Sequence, residues 1–461
     1  MATNAATATA SPLGEKDKRH VLHPYTNLTV HQKNGPQIIE KGEGIYVWDE
    51  AGNKMIEGMS GLWCTGLGFS QQRLVDAATK QMQKMPYTHI FTHHANVPSI
   101  ELAEKLTSIA PDTISRAYFV NSGSEAVDSA IKIVWYYNNA IGRPEKKKFI
   151  ARKRAYHGIT VAAGSLTGLP YVQDGFDLPR IDVIHTDTPH YYRGANPGES
   201  EEDYVTRLAE KLEQDILDSG PETVAAYIAE PVMGAGGVIV PPKGYFEKVQ
   251  TVLKKYDILF IADEVICGFG RTGNMWGSET YGIKPDMMTV AKQLSSAYLP
   301  IGAVLLSEEI YNGLTKLSDE LGMFGTGNTY GGHPVAAAVA LETLKIYEEM
   351  DLVKVVQARS ERFAERIQAF QNHPLVGECR QVGLIGAIEI VRDKESKEQF
   401  PVGDKVAAQV AAAARKHGVM LRATPGDGVA FCPPMIIEDD QIDEMFDAVQ
   451  AALDDTRNSI S

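Results

Sequence analysis

Two charged side chains that follow short apolar runs are the strongest candidates for chemistry in this sequence. Residues 258–262 form an apolar run of strand length that ends at Asp263, and a second such run, residues 287–291, ends at Lys292. In open α/β sheets, ligands collect at the carboxyl ends of strands. A desolvated lysine has a lowered pKa and attacks carbonyl groups. The pair suits pyridoxal phosphate, because the aspartate would keep the ring nitrogen protonated and the lysine would form a Schiff base.

A serine- and glycine-rich turn could hold the phosphate of that cofactor. Residues 116–120 are predicted as a strand, and Ser122, Gly123 and Ser124 lie between it and a predicted helix. Backbone N–H groups and the positive dipole end of a helix N-terminus both favour an anion. Ser124 is also predicted to cap the helix, a structural role that is compatible with phosphate binding. The turn by itself is a weak signal, and it gains weight from the aspartate and the lysine.

The elements that position these residues alternate between strand and helix. Residues 224–229 are predicted as a strand and 244–255 as a helix that returns to the strand before Asp263. This alternation predicts an α/β fold with a mostly parallel sheet. Residues 172–200 are predicted as a long irregular connection. A long helix at 335–349 is expected to lead into a second, α+β part.

Six segments carry a recognisable pattern: AYFVNSGSEA (117–126), AYHGIT (155–160), AEPVMGAGG (229–237), ADEVICGFGRTG (262–273), AKQLSS (291–296) and NTYGGHP (328–334). In combination they resemble the class III, or omega, aminotransferases of pyridoxal-phosphate fold type I, over residues 23–453. The resemblance implies a large domain with a mostly parallel seven-stranded sheet, and a smaller α+β domain. The expected division is a flexible tail at 1–14, an N-terminal part of the small domain at 15–59, the large cofactor-binding domain at 60–330 and the C-terminal small domain at 331–461.

The resemblance also assigns residues to the cofactor. Besides the aspartate, the lysine and the serine turn, they are Tyr156, His157, Glu230, Val265 and Thr329. Tyr156 is expected to lie over one face of the cofactor ring and Val265 against the other. Thr329 is expected to cross a dimer interface and to bind the phosphate of the partner's cofactor. The preceding residues 326–328 depart from the family pattern of His, Gly and an apolar residue, so the resemblance does not predict how this wall of the pocket is built.

A carboxylate-binding arginine and a group of apolar side chains are the expected substrate site. Arg422 suits planar, bidentate binding of a keto-acid carboxylate, and the resemblance implies a mobile arginine at this position. The expected pocket is formed by Tyr25, Trp63, Phe91, Tyr156 and Ile266, with Phe91 reaching in from the partner subunit. Such a pocket favours amines and omega-amino acids over aspartate or glutamate.

The resemblance implies a ping-pong transamination through a Schiff base of Lys292. A primary amine, diamine or omega-amino acid would donate, and a keto acid, with pyruvate expected, would accept. An aminomutase or a decarboxylase on the same fold would share Lys292 and Asp263, and the motifs do not separate it. A nicotinamide dehydrogenase is disfavoured because no G-x-G-x-x-G follows a first strand. A regulatory protein on this fold is disfavoured, because it would be expected to have lost Lys292 or to carry a DNA-binding module, and the sequence shows neither.

Composition and charge narrow the possible partners, metal sites and cellular location of the protein. The net charge of −14 argues against nucleic acid or an anionic membrane surface as a partner. No apolar run approaches the length of about 18 residues that a membrane span needs. The four cysteines lie far apart, and the histidines of residues 86–96 share their loop with no carboxylate or cysteine, so no metal site is expected. A cytoplasmic homodimer with its site at the interface is predicted, and a tetramer stays open.

Overall fold

The computed structural model describes residues 11–460 and arranges them in three sheets surrounded by helices. The strands are β1 (Ile39–Glu43), β2 (Tyr46–Asp49), β3 (Lys54–Glu57), β4 (Ile114–Val120), β5 (Lys148–Arg152), β6 (Val183–Thr186), β7 (Val224–Ala229), β8 (Leu259–Asp263), β9 (Met287–Val290), β10 (Gly302–Ser307), β11 (Val376–Val382), β12 (Ile385–Ile390), β13 (Val419–Met420), β14 (Arg422–Thr424) and β15 (Gly428–Phe431). The helices are α1 (Pro12–His20), α2 (Leu28–Asn34), α3 (Ser60–Trp63), α4 (Gln72–Lys84), α5 (Val97–Ile109), α6 (Gly123–Ala140), α7 (Val161–Leu166), α8 (Pro170–Gln173), α9 (Tyr191–Gly194), α10 (Glu201–Ser219), α11 (Tyr245–Lys255), α12 (Gly277–Thr280), α13 (Glu308–Leu321), α14 (Pro334–Glu349), α15 (Leu352–Ala369), α16 (Val406–Lys416) and α17 (Asp439–Ile460).

The central sheet has seven strands in the order β4-β10-β9-β8-β7-β5-β6. Strand β10 pairs antiparallel with β4 and β9, and the other neighbouring strands pair in parallel. Parallel strands are covered on both faces, which explains their continuous apolar runs; every residue of β7 is buried. The predicted α/β fold with a seven-stranded, mostly parallel sheet is confirmed.

One edge of this sheet gathers residues that are far apart in the sequence. Parallel strands all end at the same edge, where ligands collect. There β8 ends at Asp263, β9 ends two residues before Lys292, and β7 ends directly before Glu230. Helix α6 begins at Gly123, three residues after the last residue of β4. The connectivity of the sheet therefore places the predicted chemical groups around one opening.

Two small sheets complete the fold. In the first, β13 pairs in parallel with β3, through Val419 with Ile56 and Met420 with Glu57. This pairing joins the N-terminal segment to the C-terminal one, both of which are predicted parts of the small domain. The second sheet has the order β11-β12-β15-β14 and carries Arg422 on its edge strand. The predicted domain boundaries themselves remain a prediction.

The helix α14 connects the two parts of the chain. It begins at Pro334, in the first turn where the missing N–H of proline does no harm, and it packs against α4 and α5. Its range agrees with the helix predicted at 335–349. Across residues 11–460, none of the helices combines the length and the apolar character that a bilayer crossing requires.

Three details differ from the sequence-based expectation. Residues 1–10 of the predicted tail lie outside the described residues, and α1 begins inside that tail, where the Ser11 hydroxyl accepts a hydrogen bond from the Gly14 N–H. The prediction of an irregular connection at 172–200 is wrong in part, because this segment contains β6 and α9. As an edge strand β6 has a single buried residue, so it lacks the apolar run that marks a buried strand. The last helix, which the sequence pattern predicts over 439–454, continues to Ile460.

Candidate active site

A cavity of about 560 Å³ opens at the carboxyl ends of β8 and β9. The predicted site residues that line it are Tyr25, Trp63, Ser122, Gly123, Ser124, Tyr156, His157, Glu230, Asp263, Val265, Ile266, Lys292 and Arg422. The two predicted residues outside this lining are Phe91 and Thr329. The fold thus brings together, in one chain, every predicted site residue that was expected to act within its own subunit.

A buried acid–imidazole pair lies at the floor of the cavity. The Nδ1 of His157 donates to Asp263 Oδ2 at 2.7 Å, and the backbone N–H of Val265 donates to the other carboxylate oxygen at 3.2 Å. Asp263 is 3% exposed and His157 is 2% exposed. The Nε2 of His157 is buried and has no hydrogen-bond partner within residues 11–460. A carboxylate held in this way can face a cationic ring nitrogen without rotating away from it.

Lys292 enters the cavity from a strained turn. It is the first residue of a short 3₁₀ turn after β9, and its φ of 49° lies in the left-handed region that residues with a side chain rarely adopt. Burial lowers the pKa of Lys292, and the nearby charge of Asp263 opposes that shift. A larger share of neutral amine makes this lysine a better nucleophile and base.

The turn before α6 lies at one end of the cavity, where a helix N-terminus suits an anion. The Ser122 hydroxyl caps α6 by accepting from the Glu125 N–H at 3.2 Å. Ser124, which was predicted as the cap, lies inside the first turn, and its Oγ accepts from the Ile159 N–H at 3.2 Å. That prediction is wrong, because Gly123 is already helical and the extended residue before a helix is its cap.

These groups fit pyridoxal phosphate. The helix N-terminus suits the phosphate, the carboxylate of Asp263 suits the ring nitrogen, and the amine of Lys292 suits the aldehyde. Two glycines keep the phosphate end open: a Cβ at Gly123 would lie 3.1 Å from the Val265 side chain, and a Cβ at Gly158 would lie 2.6 Å from the Ser124 hydroxyl oxygen.

Glu230 braces the loop that carries Tyr156. Its Oε1 accepts from the Tyr156 N–H at 3.0 Å, and its Oε2 accepts from the Gly234 N–H at 2.9 Å. Burial raises the pKa of Glu230, while the charge of His157 opposes the rise. Both carboxylate oxygens of Glu230 therefore hold backbone N–H groups of the loops at 156 and 234, so Glu230 fixes the position of these loops beside the cavity.

The opposite side of the cavity is built from turns and strand edges. Trp63 is 2% exposed at the end of a turn in which Ser60, Gly61 and Trp63 all have positive φ. Tyr25 is 57% exposed, and its hydroxyl lies 3.5 Å from that of Tyr156. The guanidinium of Arg422 makes no hydrogen bond or ion pair to any other residue in the described part of the chain.

A hydrogen-bonded cluster anchors the arm that carries Tyr25. The Nε2 atoms of His23 and His31 lie 2.8 Å and 3.0 Å from the carboxylate of Asp17, and the centroids of the two imidazole rings lie 4.2 Å apart with the rings tilted by 36°. The hydrogen bond from His23 lowers the pKa of Asp17. The cluster ties α1 to α2 and holds the intervening residues next to the cavity.

Sequence reasoning missed Glu57, which also lines the cavity. It is 6% exposed, and its carboxylate accepts from the Met59 N–H at 3.1 Å, which braces the turn leading to Trp63. Burial raises the pKa of Glu57 to about 7. An acid at the end of the apolar pair Met55-Ile56 was an available signal for this residue.

Phe91 and Thr329 lie beside each other on an exposed surface. The ring of Phe91 lies against Gly327, where a Cβ would come within 2.6 Å of it, and the Tyr87 hydroxyl donates to the Thr329 carbonyl at 2.8 Å. Phe91 is 41% exposed. Neither residue reaches the cavity of its own chain.

Comparisons with known proteins agree with this geometry. The family model of the class-III aminotransferases matches residues 28–453. The chain is 51% identical over 441 residues to gamma aminobutyrate transaminase 1, mitochondrial, of Solanum lycopersicum, covering 95% of this chain and 85% of that protein. It is also 51% identical over 442 residues to a mitochondrial gamma-aminobutyrate transaminase of Oryza sativa subsp. japonica, covering 96% and 86%.

A solved structure extends the agreement to three dimensions. The omega transaminase of Pseudomonas jessenii in complex with PMP is 54% identical, covers 97% of this chain and 99% of its own, and superposes with a TM-score of 0.96. The relatives named here are transaminases, so the alternative of an aminomutase or a decarboxylase gains no support from them. The chain belongs to the class III aminotransferases, enzymes that use pyridoxal phosphate to transfer an amino group between an amine and a keto acid.

Proposed function

We propose that this enzyme moves the amino group of a primary amine, a diamine or an omega-amino acid to a 2-keto acid, with pyruvate as acceptor, in two half-reactions at one cavity. The observation that carries the proposal is the unpaired guanidinium of Arg422 at the rim of a mostly apolar cavity whose floor holds Lys292 and Asp263. An unpaired cation beside apolar walls suits a keto-acid carboxylate in one half-reaction and an uncharged amine substituent in the other.

Lys292 is the proposed proton carrier. Bound pyridoxal phosphate supplies an aldehyde that condenses with amines and a ring that accepts an electron pair. The Nζ of Lys292 would take a proton from the amine-bearing carbon of the donor and deliver it to the bound cofactor within the same half-reaction, and it would move a proton in the opposite direction in the second half-reaction; its lowered pKa leaves a share of the amine neutral for this work. Its turn after β9 directs the side chain to the same opening as Asp263.

Asp263 and His157 are proposed to keep the cofactor nitrogen protonated. Asp263 faces the ring nitrogen with a carboxylate that His157 and the Val265 N–H hold in place. Ser122, Gly123 and Ser124 bind the phosphate at the N-terminus of α6. Tyr156 and Val265 exclude water from the two faces of the ring.

The substrate side is proposed to accept two kinds of group at one place. Arg422 binds the keto-acid carboxylate, and Tyr25, Trp63 and Ile266 contact the apolar part of an amine. The curated relatives are named for gamma-aminobutyrate, whose distal carboxylate also suits Arg422. The structural relatives include an omega transaminase variant engineered for the synthesis of bulky amines. We therefore place omega-amino acids first among the donors and keep amines without a carboxylate as candidates.

The absorbance of the purified, cofactor-loaded enzyme tests this proposal. Gamma-aminobutyrate, a diamine and an arylalkylamine are each added without a keto acid, and a tertiary amine of similar size is the control. At least one primary amine should remove the visible absorbance of the cofactor, and pyruvate should restore it. If no donor changes the spectrum, the donor class is wrong; if pyruvate fails to restore it, the acceptor is wrong.

A homodimer is proposed because Phe91 and Thr329 are exposed and remote from the cavity of their own chain. In a dimer, Thr329 would bind the partner's cofactor phosphate and Phe91 would line the partner's substrate pocket. Mixing subunits that carry Lys292→Ala with subunits that carry Thr329→Ala tests this arrangement. The hybrid dimer keeps one intact site only if Thr329 acts on the partner, so regained activity supports the proposal and its absence contradicts it. Sedimentation analysis would distinguish a dimer from a tetramer.

We also propose a cytoplasmic location. The four cysteines of the chain are free thiols, which suits a reducing compartment. Both curated relatives named above are mitochondrial. Cell fractionation of the native protein decides between these compartments, and recovery with mitochondria would overturn the cytoplasmic assignment.

A further inference from the structure

Arg154 lies behind the cavity wall and contacts two of the segments that form it. It lies two residues before Tyr156, and its φ of 68° is in the left-handed region. Its backbone N–H donates to the Gly168 carbonyl at 2.7 Å. A strained backbone at a non-glycine residue persists only when the surrounding contacts hold it. The contacts of the Arg154 side chain are therefore expected to matter for the local structure.

One nitrogen of this side chain joins two segments of the cavity wall. The Nη2 of Arg154 donates to the Gly236 carbonyl at 2.6 Å and to the Pro425 carbonyl at 2.7 Å. Gly236 follows Ala235, which lines the cavity, and Pro425 lies three residues after Arg422 in the hairpin formed by β14 and β15. Arg154 is therefore a direct link between the turn at 234–237 and the hairpin that carries Arg422.

Glycines make room for this link. A Cβ at Gly236 would lie 2.3 Å from the Arg154 carbonyl oxygen, and a Cβ at Gly426 would lie 2.9 Å from Arg154 Nη2. A Cβ at Gly237 would lie 3.1 Å from the same nitrogen. Glycine is thus required at Gly236 and Gly426, where anything larger would push the two segments away from the guanidinium.

The guanidinium of Arg154 has no direct counter-ion. Within residues 11–460, no carboxylate lies within 4.0 Å of it. Burial lowers the pKa of Arg154, and the more distant charges of Glu389 and Arg380 act in opposite directions. A half-buried cation that contacts carbonyls in place of a carboxylate gains little from charge pairing. Its contribution is the geometry that two carbonyl hydrogen bonds impose.

We propose that Arg154 is a positioning residue that holds the Arg422 hairpin against the turn at 234–237 and so sets the carboxylate-binding end of the cavity. This inference rests on the proposed role of Arg422. Loss of the link would let the hairpin move outward. Asp263 and Lys292 would stay in place, because they are held by the central sheet. The keto-acid half-reaction should therefore weaken while the reaction of an amine without a carboxylate continues.

The test compares the two half-reactions in cofactor-loaded variants. Arg154→Gln removes the charge and the Nη2 atom that makes both links, Arg154→Lys keeps a charge on a single nitrogen of a differently shaped side chain, and Lys153→Gln is the control because Lys153 is exposed and adjacent. For Arg154→Gln, the pyruvate concentration at half-saturation should rise about tenfold, whereas the rate with an arylalkylamine should stay within about twofold. Arg154→Lys should lie between this variant and the native enzyme, and Lys153→Gln should match the native enzyme.

Hydrogen exchange supplies a second readout that does not depend on activity. Peptides that cover residues 422–431 should exchange faster in Arg154→Gln than in the native holoenzyme, and peptides that cover 259–263 should be unchanged. If Arg154→Gln does not fold, the same measurements on Arg154→Lys decide the question. An unchanged pyruvate response together with unchanged exchange overturns the inference, and so does an equal loss in both half-reactions.

Arg422→Gln separates failure of this inference from failure of the proposed function. If Arg422→Gln weakens pyruvate binding and the Arg154 variants do not, Arg154 has no positioning role and the proposed function stands. If Arg422→Gln leaves pyruvate binding unchanged, the carboxylate site itself is wrongly assigned and the inference falls with it.

Discussion

The cofactor side and the substrate side of the cavity are built by different parts of the fold. On the cofactor side, Asp263 is the last residue of the central strand β8 and is 3% exposed, and Lys292 comes two residues after the end of the neighbouring strand β9. On the substrate side, Tyr25 belongs to the N-terminal arm and Arg422 to an edge strand of a small sheet, and Tyr25 is 57% exposed. A packed sheet holds its groups in one geometry, whereas arms and edge strands can change without disturbing the core.

The side that is more buried also has the charged group with more hydrogen bonds. Both carboxylate oxygens of Asp263 have a protein partner, while the guanidinium of Arg422 has none within residues 11–460. This difference fits the proposed roles, in which Asp263 acts on every substrate and Arg422 serves only those with a carboxylate. If these roles hold, we expect the chemistry and the specificity of this enzyme to be altered separately by substitution.

The largest expected effect is on the cofactor side, at Lys292. Lys292→Ala removes the proposed proton carrier, so turnover should fall by at least about a thousandfold. The measurement is steady-state transamination at equal cofactor content. Lys254→Ala, at an exposed lysine, should leave turnover unchanged; comparable losses in both variants would show that loss of charge, not of the carrier, is responsible.

A smaller but still large loss is expected for Asp263→Asn. A neutral amide holds a protonated ring nitrogen less strongly, so the amine half-reaction should slow by at least about a hundredfold. Asp286→Asn is the matched control, since Asp286 is a partly buried acid at the opposite end of the sheet whose carboxylate accepts from the Phe260 N–H. It should lower thermal stability and leave the rate per folded enzyme near that of the native protein. Equal rates in the two variants would contradict the role of Asp263.

On the substrate side, Trp63→Leu should change specificity more than rate. Leucine is smaller, so the ratio of kcat/KM for a bulky amine to that for a small one should rise about tenfold. Cofactor affinity should not change. Trp48→Leu, in β2 and outside the cavity lining, should leave the ratio unaltered. An unchanged ratio in Trp63→Leu would remove this side chain from the substrate site.

The smallest effect concerns pH and the acid behind the Trp63 turn. Burial raises the pKa of Glu57 from 4.5 in its ordinary state to about 7. The folded protein then binds this proton more tightly than the unfolded chain. This tighter binding of the proton adds to the free energy of unfolding. The added stability is fully present below the pKa of the unfolded chain and is lost as the pH rises through the pKa of the folded protein, a change of up to roughly 3 kcal/mol. In Glu57→Gln, which is neutral throughout, the fall in Tm between about pH 5 and about pH 8 should shrink.

The exposed Glu50→Gln is the control for that measurement, and its Tm should depend on pH as in the native protein. Glu264, whose pKa burial also raises to about 7, keeps its own contribution in both variants. If Glu57→Gln shows the native dependence on pH, the carboxyl of Glu57 is ionised in the folded protein throughout this range.

Local patterns predicted the two strands before Asp263 and Lys292 and the helix that starts at the serine turn. The apolar runs before Asp263 and Lys292 mark buried strands, and the serine turn marks a helix N-terminus, because these signals depend on a few adjacent residues. The same logic failed at Ser124, where the first helical residue could not be placed within one or two positions. It also failed at β6, whose edge position leaves it without an apolar run.

The roles of Glu57 and Arg154 could not be predicted, because they depend on contacts between distant segments. Glu57 lines the cavity through the pairing of β3 with β13. Arg154 reaches a carbonyl 271 positions away in the sequence. No local pattern distinguishes such residues from ordinary buried acids or surface arginines.

By itself the sequence determined the family and the cofactor, and it predicted Lys292 and Asp263 as the reacting groups, because each of these depends on side-chain types next to short hydrophobic signals. Only the tertiary structure decided that Asp263 is held by His157, that Arg422 is unpaired, and that Phe91 and Thr329 lie outside the cavity of their own chain. The physical reason is that burial, hydrogen-bond partners and pKa shifts are set by segments that meet only when the sheets pack.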